Sequence, residues 1–293
     1  MANILTMRRD YWLRQTEGLD PATDYREISR ILVQHEFPWD MTMALSFALF
    51  RTYAVPGIGR LLNQTGEFEN HVQKRYDDTA LLLEAPLQHG FDSEQGRTAL
   101  RRINGMHRAY DIPNHEMLYV LSTFVVVPNR WMSDYGKRGF TAKEQAAGVT
   151  YYRELGRRMG IKNIPGTYEE FEHLMDSYEA EHFAYDPANR KVADSTLALM
   201  ATFYPAPRLV MNAFARSLMD EPLLRAFEYK RAPWVMRVLG PWSLRMRGRV
   251  LRFFPARKNP KRVEDFAWVR SYPLGHVLER LGTFPERPAV TTK

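Results

Sequence analysis

The sequence predicts an all-α protein, built as a single large helical domain of roughly ten helices. Apolar residues recur at spacings of three and four over most of the chain, which is the period of a helix with one buried face. No stretch of alternating polar and apolar residues competes with this pattern, so strands are not expected. Two T-x-x-E capping boxes, at 141–144 and 167–170, mark where two of the helices begin.

The N-terminal part of the chain predicts an arm followed by two helices. Residues 1–23 are polar and irregular, which is typical of a segment packed on the surface. Residues 24–36 form the first predicted helix. The run 38–53 is strongly apolar and starts with a proline at a first-turn position, so it predicts a second helix that is buried.

A long helix is predicted over residues 68–87, with one apolar stripe at helical spacing. Arg75 and Thr79 lie four residues apart in this helix and therefore share a face. A solvated arginine beside a neutral threonine is the ordinary interpretation of such a pair. A role in a site on that face is the alternative.

The stretch 97–138 is expected to form the centre of the fold, with the remaining helices packed around it. Its first half, 97–110, is a helix pattern that places His107 on or beside an apolar stripe. Its second half, 115–130, is apolar on every side, which places that helix in the middle of the protein. Imidazole at such a position is either a hydrogen-bonded core residue or an axial ligand to a metal.

The surroundings of His107 favour a cofactor that carries carboxylates. Arg101 and Arg102 lie about one turn away, and arginine pairs carboxylates through two parallel hydrogen bonds. A haem has an apolar ring edge, two propionates and a coordination position for an imidazole. A methionine-rich and aromatic helical core with one histidine and nearby arginines suits that ligand.

Further helices are predicted after the central pair, and a different kind of segment closes the chain. The helices cover 142–159, 167–184, 192–204 and 208–227. Within the second of them, Glu179 and His182 match a single E-x-x-H, whereas a di-iron bundle needs two such motifs on facing helices. A di-iron centre is therefore the weaker interpretation.

Residues 233–257 are basic and aromatic, and three interpretations remain open for them. The segment can lie on a membrane surface, with Trp, Phe and Leu in the interface and Arg at the head groups. It can bind nucleic acid, although no nucleic-acid motif accompanies the charge and no such partner is expected. It can also pack over the core with its arginines solvated or paired to acids elsewhere in the chain.

Composition excludes several classes of protein. The chain has 293 residues, a formal charge of +7 and no cysteine, so disulfides, thiolate zinc sites, iron–sulfur clusters and a cysteine nucleophile are excluded. No signal peptide and no apolar run of transmembrane length is found, which predicts a cytoplasmic protein, peripheral to a membrane at most. The expected organisation is an arm over 1–23, a main domain over 24–232 and a basic extension over 233–293.

Four segments, in order, carry a resemblance to a known family. They are R-x-I-N-x-M-H-R-x-Y, then M-L-Y-V-L-S-T-F-V-V-x-P-x-R-W, then Y-Y-R-E-L-G-R-R-M-G-I-K-N-I-P, and then Y-E-x-E-H-F-A-Y. This series, from about residue 24 to residue 227, resembles the MpaB-type oxygenases, whose catalytic domain is shared with the latex-clearing rubber oxygenases.

The resemblance implies a distantly globin-like domain over 24–232 that holds haem b and uses O₂ to cleave a carbon–carbon double bond of an isoprenoid or other lipophilic chain. By motif match, His107 corresponds to the proximal iron ligand, and Arg75 and Thr79 to the distal catalytic pair. The candidates for propionate binding are Arg101, Arg102, Arg130 and Arg138. The rubber oxygenases carry a lysine just before the threonine, where this chain has Asp78, and that difference argues against polyisoprene as substrate.

Two functions are therefore expected from the sequence. The first is a haem-dependent oxygenase acting on a lipophilic small molecule. The alternative is a non-catalytic haem-binding or lipid-binding helical protein that associates with a membrane surface. Five large apolar residues are candidates to line a channel for a long substrate, and they are Met43, Phe47, Phe50, Phe124 and Trp131.

Overall fold

The computed structural model describes residues 7–283, and within that range the chain has helices and no strand. The all-α fold class is confirmed, while the distant likeness to the globin fold stays a prediction. The ends of the predicted arm and extension, residues 1–6 and 284–293, lie outside the described residues.

Fourteen α-helices are found in residues 7–283, more than the roughly ten expected. In chain order they are α1 (Tyr11–Glu17), α2 (Tyr25–Ile31), α3 (Pro38–Thr52), α4 (Pro56–Gln64), α5 (Glu67–Asn70), α6 (Val72–His89), α7 (Glu94–His107), α8 (Asn114–Tyr135), α9 (Ala142–Arg158), α10 (Tyr168–His182), α11 (Pro187–Met200), α12 (Arg208–Ser217), α13 (Glu221–Ala226) and α14 (Trp234–Leu251). A π-helical turn, Leu32–Glu36, continues α2, and 3-10 turns lie at Val263–Asp265 and Leu278–Arg280.

Most of the difference in number comes from short helices and from one predicted helix that is divided. The expected helix over 208–227 is two helices, α12 and α13, because Asp220 caps the second by accepting a hydrogen bond from the amide of Leu223. Residues 234–251 form the continuous helix α14 in spite of Pro241 within it, whereas no helix had been predicted there.

Helix α8 is the centre of the fold, as its all-round apolar sequence predicts. Tyr119, Val126 and Met132 on this helix are fully buried, and α3, α9, α10 and α14 pack around it. The described part of the N-terminal arm also packs on the body of the protein. Thr16 donates to Glu144 (2.9 Å), and the Trp12 indole donates to the carbonyl of Arg257 in the extension (2.8 Å).

A largely buried ionic network joins α3 and α10 to the central helix α8. The Arg51 side chain on α3 donates to both carboxylate oxygens of Glu179 on α10 and also to Asp220, and the Tyr119 hydroxyl donates to Glu179 (3.0 Å). Arg51 and Glu179 are both buried, so each charge depends on the other for its compensation.

We expect Arg51→Ala to lower the free energy of unfolding by about 3–5 kcal/mol, because Glu179 would remain buried without its cation. Urea unfolding followed by far-ultraviolet circular dichroism measures this loss. Arg157→Ala, which breaks an exposed pair with Glu154, is the matched control and should cost much less. Equal losses in the two variants would contradict a structural role for the network.

Candidate functional site

A helical hairpin formed by α6 and α7 brings three of the sequence-predicted site residues together, namely Arg75, Thr79 and His107. Helix α6 ends at Gly90, whose positive φ of 96° turns the chain, and Ser93 caps α7 by accepting from the amide of Gly96 (2.9 Å). The two helices pack against each other along their lengths. The end of α7, with His107, therefore returns beside the start of α6, with Arg75.

Arg75 and Thr79 are bonded to each other on the face of α6 that they share. The Arg75 guanidinium donates to the Thr79 hydroxyl, and that hydroxyl donates to the backbone carbonyl of Arg75 (2.8 Å). The guanidinium also lies over the ring of Phe68, with its central carbon 5.9 Å from the ring centroid. Arg75 is thus a half-buried side chain with a fixed direction rather than a freely solvated one.

His107 lies close to this pair and is neutral at physiological pH. Burial, together with the positive charge of Arg75 as the smaller cause, lowers the pKa of its imidazole to about 4. Its Nδ1 atom is buried and has no hydrogen-bond partner among the residues that the structure describes. A half-buried, neutral imidazole whose buried ring nitrogen is unpaired is suited to binding a metal.

The four arginines expected at the propionates are not gathered around His107. Arg130 binds two acids of α10, Glu172 (3.0 Å) and Asp176 (2.7 Å). Arg138 is held between Glu36 (3.2 Å) and Glu144 (2.7 Å), both buried.

Arg101 and Arg102 are the two that share α7 with His107. Arg101 is exposed and donates to Thr98 (2.7 Å), and Arg102 donates to the carbonyl of Leu281 (2.8 Å). Their part in binding a cofactor stays a prediction.

A cavity of about 140 Å³ lies beside Thr79 and is lined mainly by α3, α6, α8 and α9, with α2 and its π-helical turn contributing three residues. Leu45, Leu83, Phe124 and Tyr152 give it mostly apolar walls. A dry cavity of roughly 150 Å³ with such walls binds a molecule of the size of benzene. Thr79 therefore links the Arg75 charge to a space that accepts a small apolar group.

Glu84 lines the same cavity and was not identified from the sequence. Burial raises the pKa of its carboxyl to about 7, and the carboxylate accepts from the amide of Val263 (3.0 Å) and from Gln34 (3.3 Å). The signal in the sequence is a single acid in the otherwise apolar run A-L-L-L-E-A-P-L. A carboxyl that titrates near neutrality beside a cavity can hold or release a proton there.

Two adjacent buried aspartates on the same helix bind a late segment of the chain. Asp77 accepts from the amides of Arg270 (3.1 Å) and Ser271 (2.9 Å) and from the Ser271 hydroxyl (2.7 Å). Asp78 accepts from the Tyr272 hydroxyl and from the amide of Gly282 (2.8 Å). We call residues 270–282 the strap. Asp78, at the position of the rubber-oxygenase lysine, thus binds the strap.

The strap closes over α7 next to His107. Leu281 is fully buried against Ala99 and Ile103. Gly282 lies so close to Met106 that a Cβ there would be 2.3 Å from the sulfur atom, and its φ of 80° is in the left-handed region. The residue before His107 is therefore held in place from outside the hairpin.

The prediction that five large apolar residues line one channel is wrong, because these residues line two separate cavities. Phe124 lines the first cavity, whereas Met43, Phe47, Phe50 and Trp131 line a second cavity of about 360 Å³. Both cavities are lined by α3, but by different side chains of that helix. Helix α3 is a wall common to both.

The E-x-x-H motif of α10 has a structural function. The Glu179 carboxylate accepts hydrogen bonds from Arg51 and Tyr119, and Nδ1 of His182 bonds to the carbonyl of Tyr178 (3.1 Å). Over residues 7–283 there is no group of three or more His, Cys, Asp or Glu side chains placed to hold a metal ion. Nothing in that range supports a di-iron centre.

Comparison with known proteins identifies relatives of this chain. Residues 33–257 match the family model described as the ER-bound oxygenase mpaB/B'/rubber oxygenase catalytic domain. This range includes Arg75, Thr79 and His107 and ends before the strap.

Three fungal proteins are similar over most of the chain. The ER-bound oxygenase mpaB' of Penicillium brevicompactum is 29% identical over 76% of this chain and 58% of that protein. The ER-bound oxygenase mpaB of the same species is 30% identical over 69% of this chain and 57% of that protein. That of Penicillium roqueforti is 28% identical over 76% of this chain and 82% of that protein. The chain spans less than two thirds of the first two, at 58% and 57%.

Within residues 7–283, no helix combines the length and the apolar character needed to cross a membrane.

The pKa of Glu84 leads to a pH-dependent stability. The folded state holds the Glu84 proton up to about pH 7, whereas the unfolded state releases it near the ordinary value of 4.5. The wild type therefore loses stability as pH rises through this window. Glu84→Gln should be more stable than the wild type by about 3 kcal/mol at pH 8 and equal to it at pH 4.5.

Urea unfolding at a series of pH values measures the effect. Glu69→Gln, which removes an exposed carboxylate of α5, is the control and should follow the wild-type profile. A difference between Glu84→Gln and the wild type that does not change with pH would mean altered packing rather than ionisation.

Proposed function

The chain belongs to the mpaB/rubber oxygenase catalytic-domain family, and on that premise we propose that it is a haem b-dependent oxygenase. Its reaction is the cleavage by O₂ of a carbon–carbon double bond in an isoprenoid or other lipophilic chain. The observation that carries the proposal is the neutral imidazole of His107, with its buried and unpaired Nδ1, near the Arg75 charge.

The residues present fit the cofactor at the ligand position. His107 is neutral, and its Nδ1 is buried without a hydrogen-bond partner in residues 7–283. We propose that Arg101 and Arg102, on the same helix, pair the propionates, since Arg130 and Arg138 are bound to acids elsewhere. When bound, haem supplies the iron that activates dioxygen.

Arg75 and Thr79 are the side chains that act on the reacting oxygen. The Arg75 guanidinium provides a permanent positive charge, which stabilises negative charge as it develops on oxygen. Thr79 accepts from Arg75 and borders the cavity, so it fixes the direction of the guanidinium at the cavity wall. Glu84 faces the same space and supplies a proton-holding group in it.

The first cavity favours a substrate segment that is small and apolar. Its volume of about 140 Å³ is of the size that benzene occupies, which is also the scale of one isoprene unit. Mostly apolar walls exclude water from the reacting bond. Asp78 is bound to the strap and does not line the cavity, so we do not propose polyisoprene as the substrate.

A non-catalytic haem-binding or lipid-binding protein at a membrane surface is the second candidate function. The observation in its favour is the second cavity, which is larger, at about 360 Å³, and lies outside the Arg75 site. In either case we propose a cytoplasmic protein with peripheral membrane contact through residues 233–257.

We expect His107→Ala to abolish haem retention and leave the helical circular dichroism signal in place. The visible spectrum and a haem assay, on protein produced with haem supplied, measure this directly. His115→Ala is the control, because His115 is exposed and bonded to Tyr178 (2.8 Å), and it should keep the wild-type haem content. If His107→Ala binds haem at the wild-type stoichiometry, His107 is not the iron ligand.

We expect Arg75→Ala to keep haem and to lower kcat by about 10²–10³-fold, the effect of removing one preorganised donor to a developing charge. Oxygen uptake with a prenyl-chain substrate gives the rate. Arg97→Ala, an exposed arginine of the neighbouring helix, is the matched control and should leave kcat unchanged. An unaltered rate in Arg75→Ala would remove it from the reaction.

A further inference from the structure

Helix α14 is seated on the body of the protein by one narrow face. Gly240, Leu244 and Gly248, four residues apart, are its buried residues. A Cβ at Gly240 would be 2.2 Å from Ser217 Oγ of α12, and one at Gly248 would be 2.5 Å from the carbonyl of Tyr135. These two close approaches fix which side of the helix points outward.

The outward side is apolar in its first half. Trp234, Val238 and Trp242 follow each other at four-residue spacing and are 69%, 58% and 53% exposed. Leu209 at the start of α12 is 83% exposed, and α12 packs beside α14. We define the apolar face as Leu209, Trp234, Val235, Val238, Leu239 and Trp242. Contiguous exposed apolar surface of this kind marks an interaction site.

The second half of the same side is basic. Arg245 and Arg249 lie three and seven residues after Trp242, which keeps them on the same side of the helix, and both are exposed. Residues 229–263 contain eleven Lys and Arg and no Asp or Glu. Tryptophan next to arginine on an exposed helix face suits the boundary between acyl chains and anionic head groups.

The second cavity lies directly under this surface. Val210 of α12 lines the cavity and is 43% exposed, and Met236 of α14 lines it from the other side. The apolar face and the mouth of the cavity therefore adjoin.

The walls of the second cavity suit an aliphatic chain. The cavity volume of about 360 Å³ is within the range of roughly 300–1,000 Å³ for small-molecule sites. The hydroxyl of Tyr204 is occupied, since it accepts from the Trp39 indole (2.8 Å), and so it offers a ligand little polarity. The methionines of the wall are flexible and can fit chains of different shape, and they are Met43, Met200, Met211, Met219 and Met236.

We propose that the apolar face docks on an anionic phospholipid bilayer and that the second cavity binds a prenyl or acyl chain drawn from it. The inference goes beyond the proposed function, because it concerns a surface and a cavity that lie outside the Arg75 site, and it rests on that function only for the expectation of a lipophilic ligand. Vesicle binding and chain binding need no haem. Charge favours a bilayer over a second copy of the chain, because two copies meeting through this face would bring basic surfaces together.

Co-sedimentation with vesicles tests the docking. The full chain should bind phosphatidylcholine vesicles that contain phosphatidylserine, and binding should weaken as salt rises. Trp234→Ser/Trp242→Ser should lose binding, whereas Leu274→Ser, at a residue 99% exposed outside the face, should bind as the wild type does. Arg245→Gln/Arg249→Gln should weaken binding to the anionic vesicles by about 25-fold, or about fivefold for each arginine.

Several results would overturn the docking. Equal pelleting of the wild type with and without phosphatidylserine would do so, as would binding of the tryptophan variant at the level of the control. A dimer in solution that the tryptophan variant converts to a monomer would show that a second copy covers the face. Each variant's haem content reports separately on the His107 site, so the failure of one proposal does not imply the failure of the other.

Titration with a fluorescent fatty acid tests the cavity. Ala215→Phe fills the second cavity and should weaken binding about tenfold. Val210→Trp narrows its mouth at a half-exposed residue and tests the same point if Ala215→Phe does not fold. Gly148→Val is the matched control, because Gly148 lines the first cavity and a Cβ there meets nothing within 4 Å. If all three variants bind the fatty acid with equal affinity, its binding site is not the second cavity.

Discussion

The candidate site depends on the need of two neighbouring buried carboxylates for hydrogen-bond donors. Asp77 and Asp78 are 0% and 1% exposed, and a carboxylate buried without partners is strongly unfavourable. The strap supplies backbone amides and two hydroxyls to them. Helix α6 is therefore held on the side of these aspartates, and Arg75 and Thr79 are presented on another side.

This arrangement gives the two helices of the hairpin complementary electrostatic roles. Arg75 carries a permanent charge, and that charge together with burial keeps His107 neutral. A histidine that stayed protonated could not donate a lone pair to a metal. The charge expected to act in the reaction therefore also keeps the expected ligand in the form that binds iron.

Local features of the site followed from the sequence, and its long-range partners did not. Helical spacing was enough to place Arg75 beside Thr79 and to identify α8 as the buried centre. The contacts of Asp78 with Tyr272 join residues 194 positions apart, and no periodic pattern reports such a pairing. The same limit applies to Arg130, whose acid partners lie on another helix. Glu84 was overlooked because its raised pKa comes from tertiary burial.

Helix α3 separates the two cavities and is a single rigid element that both occupants would touch. Its Leu45, Ser46 and Leu49 face the first cavity, while Met43, Phe47 and Phe50 face the second. A ligand that shifts α3 from one cavity changes the volume available to a ligand in the other cavity. Thermodynamic linkage makes such an effect reciprocal, so each ligand must alter the other's affinity by the same factor. If both cavities bind ligands as proposed, the shared wall couples their two affinities.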